Sequence, residues 1–312
     1  MSVKCAFLFA GQGSQAVGMG KDFFEKSEVA KAMVADASSR TGIDFEQLLF
    51  EENDNLGQTE FTQPAILLVA TIAHKLFRDA TDIKPVLTMG HSLGEFSALV
   101  ASGALDAIDA VELVNLRGKL MAEACSTQEV GMMVSLGLKD EVVESICAEQ
   151  REAGLSVWAV NYNADGQIVI AGIKKDLETL VPILKEAKAK RAILLDMSVA
   201  SHCPLLESAV APLSEKLNEM IKDEFIAPVI SNVTAKAYNT KAEALELLAK
   251  QLVEPVKYKH SMANIDDEVD CYIEFGQGAV LKGLNRKATK KPHFNVSDMA
   301  SLESTIEAIK AL

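Results

Sequence analysis

The chain has 312 residues, of which 49% are hydrophobic and 24% charged, with 18 glycines and 8 prolines; this excludes disordered, collagen-like and fibrous classes and allows a core built without disulfides or metals. At about 150 residues per domain it has room for two domains or one large one. A formal charge of −13 argues against a broad basic surface for nucleic acid, so an anionic partner needs a local basic cluster.

The five cysteines are odd in number, widely spaced and never in a Cys-x-x-Cys pair. Neither a disulfide framework nor a structural zinc site is expected from that pattern, and a reducing cytoplasm suits it. The run Cys5 to Ala10 is too short for a signal-peptide core, and Ala65 to Ala73 is too short for a membrane span. No targeting segment or membrane association is expected.

The chain opens with a continuous apolar run, residues 4–10, broken by Gly11-Gln12-Gly13-Ser14-Gln15, the pattern of a buried parallel strand delivering its chain to a loop. Helices are predicted from about Lys21, continuing through 28–37, and over 64–78, with a short buried strand at 86–89. Strand and helix then alternate with a different rhythm over about 130–197. The order is strand 132–136, helix 140–150, strand 157–161, strand 168–171 after an Asp165-Gly166 turn, helix 176–189 and strand 192–195. This βαββαβ series is the ferredoxin-like unit. From Pro204 the first rhythm resumes, with helix 204–222, strand 228–232, helix 240–253, strand 271–275 and helices 279–287 and 301–311. The pattern predicts an α/β fold: a domain with a mostly parallel sheet, formed by residues 1–127 and 198–312, and an inserted ferredoxin-like subdomain, 128–197.

Gly90-His91-Ser92-Leu93-Gly94 lies between the strand at 86–89 and an apolar helix beginning near Glu95. A serine flanked by small residues at a strand-to-helix turn is a nucleophile elbow, which aims helix N-terminal N–H groups at an oxyanion formed beside it. A serine at its ordinary pKa needs a base. His74 and His91 sit in helix and motif. His202, in the small-residue loop Ser198 to Pro204 where the insertion rejoins the sheet, competes for the role with His260 and His293.

Arg117 lies on a helix capped by Asp106, and its neighbours at three and four residues are Leu113, Val114, Leu120 and Met121. A guanidinium on an apolar stripe needs an anionic partner, either an internal acid or a substrate carboxylate held by its planar fork. Gly11 to Ala16 formally satisfies a dinucleotide fingerprint, but no prompt second strand or acid follows. The same loop is placed to offer the Gln12 N–H to an oxyanion hole.

Together, Gly11-Gln12-Gly13-Ser14-Gln15, Thr62-Gln63-Pro64, Gly90-His91-Ser92-Leu93-Gly94-Glu95, Arg117-Gly118, Ser201-His202 and Gln251-Leu252-x-x-Pro255-Val256 resemble the malonyl-CoA:acyl carrier protein transacylases, in the family's order across nearly the whole chain. The resemblance implies a hydrolase-like α/β domain carrying the inserted ferredoxin-like subdomain, with Ser92 as nucleophile, His202 as base and Arg117 as the clamp on the malonyl carboxylate. It also implies Gln12 and Leu93 N–H groups as the oxyanion hole, Gln63 as a supporting residue, and Gln251 orienting the histidine through a main-chain carbonyl. The implied reaction moves a malonyl group from malonyl-CoA to the phosphopantetheine thiol of acyl carrier protein in type II fatty-acid synthesis. No metal or cofactor is required, and a monomer is expected. Ala10 and Ala200 replace prolines frequent in the family, and Gly276-Gln277-Gly278 replaces Gly-Pro-Gly; these changes loosen loops without removing a functional group. Ala200-Ser201-His202 also resembles domains that take branched acyl units, whereas Leu93 resembles the malonyl-selective kind. Two basic groups, one containing Lys190 and Arg191 and the other Lys287, Lys290 and Lys291, are candidates for docking an acidic carrier protein. The alternatives are a serine esterase or thioesterase, and a non-catalytic acyl-CoA or NAD-binding module.

Overall fold

The computed structural model describes residues 3–312. Strand β1 (Cys5–Phe9) is buried along its whole length, and a loop of turns leads to helices α1 (Lys21–Lys26), α2 (Glu28–Thr41) and α3 (Phe45–Phe50). Ser27 and Asp44 start the last two by accepting N–H bonds on their side chains. The residues after Gly13 form turns where the dinucleotide fingerprint requires a helix. No helix N-terminus stands there to receive a pyrophosphate, and that reading fails on geometry.

Next come α4 (Thr59–Ala80), β2 (Pro85–Gly90), α5 (Gly94–Ala101) and α6 (Ala107–Ala124). Helix α4 begins at Thr59 and carries Pro64 inside it, earlier than the sequence pattern suggests. Pro64 has no N–H for the Glu60 carbonyl, and Asn115 of α6 fills that acceptor with its Nδ2 at 2.8 Å. Gly118 brings the same two helices together, since a Cβ there would stand 2.6 Å from Glu60 Cα. Gly118→Ala is therefore expected to cost about 1–3 kcal/mol, measured as a lower denaturation midpoint at unchanged slope; an unchanged midpoint would contradict the close approach. Asp106 occupies the N-cap of α6, but its carboxylate takes Lys222 Nζ at 2.6 Å rather than a helix N–H.

The chain continues through β3 (Val130–Leu136), α7 (Asp140–Glu152), β4 (Val157–Ala164), β5 (Gln167–Ile173), α8 (Lys174–Glu186) and β6 (Arg191–Leu194). These strands form a separate antiparallel sheet in the order β4-β5-β3-β6, which is the ferredoxin-like arrangement. Met133, Ile170, Leu177 and Leu180 lie in its own core cluster. Backbone bonds from Tyr162 N to Val256 O at 2.9 Å and from Val256 N to Val160 O at 2.8 Å tie it to the rest of the molecule.

The remaining elements are α9 (Glu207–Met220), β7 (Val229–Ile230), β8 (Ala237–Tyr238), α10 (Lys241–Gln251), α11 (Tyr258–Ile265), β9 (Cys271–Phe275), α12 (Val280–Asn285), β10 (His293–Val296) and α13 (Met299–Lys310). The main sheet has the order β10-β9-β1-β2-β7-β8 and is parallel except for β8. Apolar helices cover it, so both faces are buried, as parallel strands require. No helix among the described residues is long and apolar enough to cross a membrane.

Candidate active site

Strands β1 and β2 are neighbours with Phe9 opposite Gly90, so the loop at 11–13 and the turn at 91–93 leave the sheet side by side. The turn tolerates only small residues at its flanks. A Cβ on Gly90 would lie 1.9 Å from the Gly94 carbonyl carbon, and one on Gly94 would lie 2.0 Å from Phe9 O. Ser92 sits between them at φ 52°, a left-handed conformation that costs a serine free energy and raises its hydroxyl off the sheet. Asn232, just beyond β7, pins the turn by accepting Ser92 N–H at 2.6 Å and donating to Gly90 O at 2.7 Å.

His202 Nε2 lies 2.7 Å from Ser92 Oγ, while its Nδ1 lies 2.6 Å from the main-chain oxygen of Gln251 at the end of α10. A carbonyl can only accept, so Nδ1 carries the proton and Nε2 is free to take one from the serine. Burial, and then the nearby charge of Arg117, pull the imidazole down to about 3, against the Gln251 hydrogen bond. It is neutral at neutral pH, as a base must be. Of the other histidines, His91 lines the same cavity as Ser92 and His202, and the rest lie elsewhere. His74 is packed against Phe7, Phe9 and Phe275, His260 faces Tyr162, and His293 stands beside Glu274. His91 reaches Asn163 Oδ1 at 2.7 Å. Of the three histidines that spacing left open, His202 is the one whose ring lies within hydrogen-bond distance of Ser92 Oγ.

Arg117 is 1% exposed, yet its hydrogen-bond partners are neutral. Nη1 donates to Gln63 Oε1 at 2.7 Å, and Nη2 to Gln251 Oε1 at 3.2 Å and Ser92 Oγ at 3.4 Å. The guanidinium carbon lies 5.4 Å from the centre of the Phe96 ring, a cation–π contact. Burial lowers its pKa to about 10, so it stays charged at neutral pH. A desolvated cation with amide partners instead of a carboxylate is set to receive an anion.

These groups open onto a cavity of about 300 Å³. One wall carries Gln12, Gln63, Ser92, Leu93, Arg117 and His202; the other is largely apolar and takes Met132, Val134 and Val169 from the antiparallel sheet. The backbone N–H groups of Gln12 and Leu93 donate to nothing among the described residues. Asn161 and Asn163, which sequence reasoning did not single out, also line it. Asn232 was missed as well; nothing in the local sequence around it signals a role. Among the described residues no group of His, Cys, Asp or Glu is arranged to hold a metal, and all five cysteines are free and buried.

Of the candidate docking residues, Lys190, Arg191 and Lys287 are exposed. Lys291, in the second basic group, instead donates to the main-chain oxygens of Asp266 and Val269.

A serine on an elbow, within hydrogen-bond distance of a buried imidazole and beside N–H groups without acceptors and a buried guanidinium, is an arrangement suited to acyl transfer. The chain belongs to the acyl transferase domain family, which matches it over residues 6–307. Within that family it is 40% identical over 311 residues to the malonyl CoA-acyl carrier protein transacylase of Bacillus subtilis, covering 98% of both chains. It is also similar to the crystal structure of the malonyl-CoA:acyl carrier protein transacylase from Helicobacter pylori, with a TM-score of 0.95, 46% identity and 99% of each chain covered. A third relative is a malonyl-transacylase solved in complex with its type II polyketide synthase acyl-carrier protein, with a TM-score of 0.92 and 36% identity over 98% of this chain and 99% of that one.

Proposed function

We propose that this chain transfers a malonyl group from malonyl-CoA to the phosphopantetheine thiol of acyl carrier protein, in two steps through a malonyl ester of Ser92. One observation carries the reading: Ser92 Oγ lies within 2.7 Å of a neutral imidazole and 3.4 Å of a buried guanidinium that has no carboxylate hydrogen-bond partner among the described residues. The relatives named as malonyl transacylases support it.

His202 Nε2 takes the Ser92 proton as Oγ attacks the thioester carbonyl, and the oxyanion is held by the Gln12 and Leu93 N–H groups. The tetrahedral intermediate collapses with cleavage of the carbon–sulfur bond, and the imidazolium returns its proton to the CoA sulfur. The ester's free carboxylate is forked by Arg117, with Gln63 and Gln251 holding the guanidinium from behind. That carboxylate offsets the charge which helps depress His202, so a bound malonyl group makes its own base stronger than an acetyl group would. His202 then takes the proton of the incoming carrier thiol, whose sulfur attacks the ester carbonyl; the carbon–oxygen bond breaks and the imidazolium returns the proton to Ser92 Oγ. One thioester replaces another, so no cofactor or metal enters the scheme. A monomer in a cytoplasmic setting is part of the reading.

The same reading treats residues 128–197 as a subdomain that closes the apolar wall over an α/β domain of residues 1–127 and 198–312. Its exposed Lys190 and Arg191, together with the exposed Lys287 of the α/β domain, are proposed to steer an acidic carrier. Reversing charge at Lys190 and Arg191 is expected to raise the apparent KM for carrier protein about 5- to 10-fold, in line with roughly 1 kcal/mol for screened surface charges, and to leave the KM for malonyl-CoA unchanged. Parallel changes in both would contradict docking there. The reaction itself is tested by incubating the chain with malonyl-CoA and carrier protein bearing its phosphopantetheine arm. Formation of malonyl-carrier protein is expected; release of free malonate alone would identify a hydrolase.

A further inference from the structure

One buried carboxylate has no task in the scheme above. Glu95 lies in the first turn of α5, fully buried, and every hydrogen-bond partner it has is a donor. Gln251 Nε2 at 2.7 Å and Asn232 N at 3.0 Å meet its Oε2, and the Tyr238 hydroxyl meets Oε1 at 3.0 Å. Two of these neighbours lead directly to the reacting groups. Gln251 Nε2 also donates to Ser92 O at 3.2 Å, its Oε1 accepts from Arg117 Nη2 at 3.2 Å, and its main-chain oxygen receives His202 Nδ1. Asn232 in turn holds the N–H of Ser92. A terminal amide can present either end to its surroundings. With the NH₂ end of Gln251 bound to a carboxylate, only its oxygen can face the guanidinium.

We infer that Glu95 is a positioning residue: by anchoring the Gln251 amide and the Asn232 main chain it fixes where Arg117 and Ser92 stand, and it supplies through one intervening amide the negative charge that the buried guanidinium lacks. The inference rests on the roles proposed above for Ser92 and Arg117.

The charged and titratable groups around Glu95 are few. Arg117 favours the carboxylate, and Tyr238 faces it from β8 with Glu243 behind; His202 joins the network only at the Gln251 carbonyl. Burial raises Glu95 to about 7 in spite of its three hydrogen bonds and Arg117. Above that pH the carboxylate is charged and accepts from all three donors. Below it, the added proton removes the charge opposite Arg117 and requires the Tyr238 hydroxyl to turn and accept.

The test is single-turnover acylation of Ser92 by malonyl-CoA, followed by intact mass between about pH 5.5 and 8.5, for the unsubstituted chain and Glu95→Gln. Glutamine has the shape of the protonated acid and never carries charge. The variant is expected to be about 10-fold slower at the alkaline end, within the range for coupled neighbours, and to converge on the unsubstituted chain at the acid end. The inflection near pH 7 should vanish from the variant's profile. Combining Glu95→Gln with Gln251→Ala should add little to Gln251→Ala alone. Should Glu95→Gln fail to fold, Tyr238→Phe removes one bond favouring the carboxylate and should move the inflection of the intact chain to higher pH. A deficit that is the same at every pH, or additive with Gln251→Ala, or an inflection unmoved in Tyr238→Phe, would overturn the inference. No adduct on Ser92 in the unsubstituted chain would instead overturn the function beneath it.

Discussion

Arg117→Ala is expected to lower acylation of Ser92 by malonyl-CoA by on the order of 10²- to 10³-fold while slowing acylation by acetyl-CoA less than about 10-fold. The first figure follows from losing a charge-assisted, desolvated fork onto a carboxylate, which is worth several kcal/mol when the anion is left unpaired in a closed site. The second follows because acetyl has no carboxylate to lose. In the unsubstituted chain, acetyl also leaves the Arg117 charge uncompensated next to His202, adding to the burial that chiefly depresses that imidazole. The ratio of the two rate constants is the readout, and it separates a clamp from a packing role. Arg117→Lys should behave more like alanine than like arginine, since an ammonium cannot bridge the Gln63 and Gln251 oxygens and a substrate carboxylate at once. Equal losses for both acyl groups would contradict the clamp.

His202→Ala is expected to slow both half-reactions, acylation from malonyl-CoA and transfer to carrier thiol, by roughly 10³-fold or more, the scale on which general-base partners of a nucleophilic serine act. Stability should fall less at about pH 5 than at pH 8, because a buried neutral imidazole is costly at low pH. Its pKa of about 3 lies below the ordinary value of about 6.5. Between those values the unfolded chain binds a proton that the folded chain does not, so native stability falls as pH drops through that window and is unaffected above it. Removing His202 removes that acid penalty. The check is paired: stopped-flow rates for each half-reaction, and denaturation midpoints at about pH 5 and pH 8. Loss of only one half-reaction would mean that another group serves as base in the other.

The elbow was readable in the sequence because its signal is local: a buried strand, two glycines around a serine, then an apolar helix. The ferredoxin-like order was readable for the same reason, from alternating short elements between residues 130 and 197. What failed to show was long-range or atypical. The Glu95, Asn232, Tyr238 and Gln251 network joins positions far apart in the chain, and no spacing rule brings them together. Glu95 stood inside the recognised motif, but a glutamate at a helix start reads as a dipole partner facing water. Pro64 moved the expected start of α4, since the Asn115 amide that excuses its missing N–H comes from another helix. Helix α11 begins with the polar run Tyr258-Lys259-His260, and β10 is a half-buried edge strand after a lysine cluster; neither has a clear apolar period. Helix α3 is only six residues long, too short for periodicity to register. Spacing alone leaves His202 level with His260 and His293; the resemblance names it, and the fold sets its Nε2 2.7 Å from Ser92 Oγ.

The measurement that tests the central claim most directly is the intact mass of the chain within seconds of mixing with malonyl-CoA, for the unsubstituted protein and for Ser92→Ala. The account predicts one malonyl group on the unsubstituted chain, located to Ser92 by peptide mapping, none on Ser92→Ala, and loss of the adduct when carrier protein with its phosphopantetheine thiol is added. An adduct that survives in Ser92→Ala, or malonyl-carrier protein formed at an undiminished rate by that variant, would contradict it.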